Sequence, residues 1–273
     1  MRKDYISYSR KYKSFHYNEL GDDALDNIHR VGYSMLIEII NLFNQHDIKY
    51  TIIGGTLLGA VTSKSFIPWD DDVDLCVFDY DYERMIDILM TYLPENMILQ
   101  CKNSEPKYYH GWVKVRDINS IVYPSCCYEV NGVWVDIYKI SLVPRKAVGF
   151  LKVKEHLDYL KRRYKVGDIS LIDLWYRKIS NSLYPKYLLE GIKYLLPCIS
   201  DNVYLITSAS KITINESSVL PLKKYMFEGL ELNGINNADD YLTNHYGKDY
   251  HIYPDEDKRR VGINKVEIIG EYS

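Results

Sequence analysis

Apolar positions recur along the chain with two periods, and the change from one to the other marks out the elements. Over residues 22–45, Leu25, Ile28, Met35, Leu36, Ile39, Ile40 and Phe43 fall at three- and four-residue intervals, which predicts an amphipathic helix covering one face of a sheet. Residues 50–53 read as a short strand. Gly54 and Gly55 follow, where the backbone can turn tightly and approach a ligand closely, and Thr56 is placed to cap a short helix through Leu57, Leu58 and Ala60. Free amides at that helix start would make an anion site. Val73, Leu75, Val77 and Phe78 have the pattern of a buried strand, and residues 80–93 that of a second amphipathic helix closed by Pro94.

Strand signals follow at 98–101, 112–116, 121–123 and 133–138, with Asn131-Gly132 as a hairpin turn between the last two. Beyond Pro144 the pattern turns helical, and residues 145–200 read as a helical insertion. Residues 222–232 suggest a hairpin, and residues 237–246 a helix ended by Gly247. Residues 1–20 are polar, basic and tyrosine-rich and read as an arm. Residues 21–273 then form one α+β domain, a mixed sheet flanked by helices.

Composition narrows the class rather than the function. A chain of 273 residues with 47% hydrophobic and 26% charged residues can bury a proper core. A net charge of −3 argues against duplex nucleic acid as the partner. Five cysteines without Cys-x-x-Cys spacing make neither a disulfide framework nor a zinc site. No signal core and no long apolar run occur, so the expected location is the cytoplasm, with contact at the inner face of a membrane allowed through the basic run at 152–165.

The chemistry concentrates at residues 53–78. Asp70, Asp71, Asp72 and Asp74 lie beside a buried strand, and alternation places Asp72 and Asp74 on one side of it. Two carboxylates so close repel each other and lose hydration unless a cation neutralises them. Asp136 stands alone inside an apolar run, Val133 to Tyr138, and there it needs a cation or a strong donor. Asp72, Asp74 and Asp136 are therefore the candidate metal ligands and catalytic acids, for magnesium with manganese as the alternative, holding a nucleoside diphosphate. A solvated acidic turn or calcium loop is the plain rival for the first pair. A satisfied core aspartate is the rival for Asp136, and core packing is the rival for Trp69, Trp112 and Trp134 as a cage for a quaternary ammonium.

These residues also carry a resemblance. Ile53 to Ala60, IGGTLLGA, resembles the glycine signature of the nucleotidyltransferase fold, Asp72-Val73-Asp74 its acid pair, and Val135-Asp136-Ile137 its third acid. More narrowly, GTLLGA followed by FIPWDDDVD is similar to the LicD family, which includes fukutin and fukutin-related protein. The resemblance spans residues 25–255. It implies transfer of a phosphorylated small alcohol, typically phosphocholine, from a CDP-linked donor to a sugar hydroxyl of a cell-surface glycan or lipid-linked precursor. It also implies Gly54, Gly55, Thr56, Lys64 and Arg116 on the donor phosphates. Where the family pattern reads Arg-His-Lys-Gly, this chain has Thr62-Ser63-Lys64-Ser65, so only the lysine of that stretch is kept. Nucleotide transfer to a small hydroxyl compound and a catalytically degenerate binding module are the alternatives.

Overall fold

The computed structural model describes residues 15–16, 19–20, 23–123, 128–167, 202–207 and 212–270. In chain order the elements are β1 (Phe15–His16), α1 (Ala24–Gln45), β2 (Tyr50–Ile52), α2 (Gly54–Thr62), β3 (Val73–Phe78), α3 (Asp79–Tyr92), β4 (Met97–Gln100), β5 (Val113–Asp117), β6 (Ser120–Tyr123), β7 (Trp134–Pro144), α4 (Val148–Lys165), β8 (Asn202–Thr207), β9 (Thr213–Asn215), α5 (Glu216–Val219), β10 (Lys223–Phe227), β11 (Leu230–Gly234), α6 (Ala238–Tyr246), β12 (Arg260–Val261) and β13 (Lys265–Ile268). Most follow the expected periodicity. The helical reading of residues 145–200 is met by α4, and residues 168–200 lie outside the described residues.

A mixed sheet runs β10-β11-β2-β3-β7-β5-β4, with β8 and β9 continuing from the second half of β7. β3 and β7 are parallel neighbours at its centre, while β5 joins β7 antiparallel. The alternation that puts acids on one face puts Val73, Val115 and Val135 on the other, each almost wholly buried. The helix α1 contributes Ile28, Met35, Leu36, Ile39 and Phe43 to the same core, as its apolar stripe demands. The result is the α+β architecture read from the pattern, with the sheet's polar face left for the site.

Two local expectations are corrected. β6 and β7 do not form a hairpin through Asn131-Gly132; β6 pairs with β13, and β7 takes β5 instead. Gly132 serves a close passage, because a Cβ there would collide with the Asp117 carbonyl. Thr56 does not cap α2 either: Ile53 is the N-cap, and Thr56 lies in the first turn with its hydroxyl turned to β3. The expected hairpin near the C-terminus is β10–β11, and Asn237 caps α6 by accepting from the Asp240 amide.

Candidate active site

Three strands line up their side chains in rows across the polar face. In register, Asp74 of β3 stands opposite Asp136 of β7, and Asp136 stands opposite Lys114 of β5. Two residues back along β7, Trp134 stands opposite Arg116. Because directly opposed residues of adjacent strands share a face, this register places acids and bases side by side. Asp72, just before β3, completes the group. Carboxylate oxygens of Asp72, Asp74 and Asp136 lie within 4.8 Å of one another, as do those of Asp70, Asp71 and Asp72.

The acids are held by donors from several elements. Asp136 is buried, and its Oδ1 accepts from Lys114 Nζ at 2.5 Å and from Trp112 Nε1 at 2.8 Å, while Tyr138 donates its hydroxyl to Oδ2 at 3.2 Å. The cation or strong donor that Asp136 needed is therefore both. Trp134 Nε1 donates to Asp72 at 3.1 Å, the Gly55 amide donates to Asp74 at 3.3 Å, and the Asp74 amide donates to the Thr56 hydroxyl at 2.9 Å. Asp71 accepts from the Gly262 amide at 2.8 Å, which brings the C-terminal segment against the acid loop. There Arg259 stacks on Trp69, with Tyr253 at the edge of the ring.

The two glycines explain how helix and acids approach so closely. A Cβ on Gly54 would fall within the Asp74 carboxylate, and one on Gly55 within that of Asp70. Gly54 also has φ +56°, a left-handed conformation that glycine adopts without strain. Their amides, expected to face a diphosphate, are bonded inside the protein: Gly54 N–H donates to the Tyr241 hydroxyl and Gly55 N–H to Asp74.

The electrostatics follow from crowding. Desolvation raises the Asp74 carboxyl to about 7, with Asp136 reinforcing the effect. Burial, followed by repulsion from Asp74 and Asp71, holds Asp70 and Asp72 well above the ordinary carboxylate range. Asp71 is raised as well, mainly by burial. Such shifts mark negative charge that the surrounding protein leaves uncompensated.

Of the expected phosphate contacts, the structure gathers Gly54, Gly55 and Thr56 at the acids and sets the other two apart. Lys64 is exposed beyond the C-terminal end of α2, about 13 Å along a nine-residue helix from the glycines, and its carbonyl accepts from the Glu228 amide. Arg116 is buried, donates to Gln100 and to the Gly132 carbonyl, and stacks on Trp134 at 4.8 Å. Trp134 and Trp69 thus already face cations of the chain itself, and Lys114 lies 6.0 Å from the Trp112 ring. Sequence reasoning missed Lys114 and Tyr138. The signal for Lys114 was present, since a lone ammonium in the run Trp112 to Val115 poses the same problem as a lone acid in β7.

Residues 47–162 match the family model described as LicD/FKTN/FKRP, nucleotidyltransferase domain. The chain is 25% identical over 250 residues to lipopolysaccharide cholinephosphotransferase LicD of Haemophilus influenzae, covering 84% of this chain and 92% of that relative. Shorter matches join it to uncharacterized proteins of Rickettsia prowazekii, 39% identical over 57 residues, and of Rickettsia typhi, 41% identical over 49 residues. These cover 21% and 18% of this chain, and 21% and 16% of those relatives.

Proposed function

Residues 47–162 are a nucleotidyltransferase domain of the LicD family, and from that premise we propose that the chain moves a phosphorylated small alcohol, phosphocholine first among them, from a CDP-activated donor to a sugar hydroxyl of a cell-surface glycan or lipid-linked precursor. The observation that carries this reading is the convergence of Asp72, Asp74 and Asp136 on one face of the sheet. The Haemophilus relative, a lipopolysaccharide cholinephosphotransferase, supports the class of alcohol and of acceptor.

The donor set suits a hard divalent cation. It is all oxygen, and its three carboxylates face one ammonium among the described residues. Asp72 and Asp74 would hold magnesium, or manganese in its place, with Asp136 as third ligand. Bound there, the ion supplies positive charge against the donor diphosphate. The chain does the rest. Gly55 and Thr56 fix Asp74, and Trp134 fixes Asp72, so the acids are set in place before the donor arrives. A carboxylate of the set accepts the acceptor hydroxyl's proton as the new P–O bond forms and CMP leaves. Arg116 acts through Trp134.

An acceptor built on lipid also calls for a membrane-facing surface. No helix among the described residues is long and apolar enough to cross a membrane. One face of α4, however, presents Phe150, Lys154, Leu157, Lys161, Tyr164 and Lys165, all but Leu157 exposed. Aromatic and aliphatic groups among lysines on one helix face suit an anionic bilayer surface.

The test is product analysis with magnesium, a panel of CDP-linked alcohols and a glycan acceptor. The expected result is CMP release matched by phosphoalcohol on the acceptor. Pyrophosphate release from a nucleoside triphosphate would overturn the reading in favour of nucleotide transfer. Retained binding of magnesium and CDP-alcohol without turnover over the whole panel would leave a binding module.

A further inference from the structure

Lys114 is the one group in the row of Asp74 and Asp136 that the proposed chemistry does not call for, and its position is costly. The residue is only 6% exposed, and an ammonium so buried forfeits its hydration at a cost that only good pairing offsets. Its pairing is specific: Nζ lies 2.5 Å from Asp136 Oδ1 and 4.9 Å from the centre of the Trp134 ring. The direct cross-strand register between Lys114 and Asp136 holds the pair together, and the Trp112 ring centre lies 6.0 Å from the same Nζ. Asp136 in turn has about four acceptor sites, and Lys114, Trp112 and Tyr138 occupy three of them. Any cation that uses Asp136 meets Lys114 there.

We propose that Lys114 is the resident counter-cation of the acid face: it neutralises Asp136 while the divalent ion is away and competes with that ion for the carboxylate. The inference rests on the metal reading proposed above. It makes Lys114 a positioning residue whose charge weakens ion binding, so that the ion is exchanged rather than held permanently.

The experiment is calorimetric titration of the full chain with magnesium alone, without donor, alongside circular dichroism. Lys114→Met, and Lys114→Gln, which keeps a donor for Asp136 without the charge, are expected to bind magnesium about tenfold more tightly than wild type. Lys114→Arg keeps the charge and is expected to restore the wild-type affinity. Unchanged or weaker binding by folded Lys114→Gln, in a wild type that binds magnesium, overturns this proposal alone. A wild type that binds no magnesium overturns the metal reading together with it.

Discussion

Replacing Gly54 with alanine tests whether the helix start exists to hold Asp74. Two effects add at this position. An alanine at φ +56° costs about 1–2 kcal/mol in backbone strain. Its Cβ also falls within the Asp74 carboxylate, which must swing out of the row it shares with Asp136. Misplacing a reacting group by an ångström can cost about a hundredfold in rate, so Gly54→Ala should lose at least about that much turnover and about tenfold in magnesium affinity. Gly55→Ala is the built-in comparison. It has no positive φ and displaces Asp70 instead, so it should cost less stability than Gly54→Ala by the strain alone, about 1–2 kcal/mol. Urea denaturation, magnesium titration and CMP release together make the assay. In the Gly54→Ala/Asp74→Ala double variant the clash disappears and only strain remains, so the stability changes of the two single variants should fail to add by about 1 kcal/mol or more. Additive changes, or a Gly54→Ala protein with near-normal magnesium affinity, would refute the reasoning.

Asp72→Asn should abolish turnover, by about a thousandfold or more, while leaving the metal-free fold as stable as wild type or more so, because it removes one of the mutually repelling charges; a large fall in melting temperature would count against this. Trp112→Phe keeps the ring but removes the 2.8 Å bond to Asp136, and should cost about 1–3 kcal/mol of stability by leaving that acid short of a donor. Burial lowers His245 to about 4, so its neutral form favours the fold: stability is full above the unfolded value near 6.5 and is lost as pH falls from there through 4. After allowance for its partial exposure this is about 1 kcal/mol at pH 5, and His245→Gln should flatten the profile, whereas an unchanged pH dependence would exclude His245 as the source. Charge reversal at Lys154, Lys161 and Lys165 should remove salt-sensitive co-sedimentation with phosphatidylglycerol vesicles, and binding that survives it would rule out the α4 face.

The helices α1, α3 and α6 and the strand β3 were legible because periodicity and caps act within a few residues. The same locality made Asp72 and Asp74 a visible pair, and Asp136 a visible anomaly inside an apolar strand. Gly54 and Gly55 were recognisable as a turn. Their function as clearance for two carboxylates depends on β3 and the loop before it, at positions 70 and 74, which no local pattern discloses. The hairpin at Asn131-Gly132 was misread for the same reason: turn chemistry is local, but β5 competed successfully for the edge of β7.

Only the tertiary structure decided which charges meet. Residue types and alternation dictated that acids would share one face of β3 and that β7 would bury one more. The parallel register that sets Asp74 beside Asp136, and the antiparallel one that sets Lys114 against it, arise from strand neighbours distant in sequence. A one-residue slip in either pairing would turn those side chains into the valine core, so burial of Val73, Val115 and Val135 on the opposite face selects the register and, through it, the site.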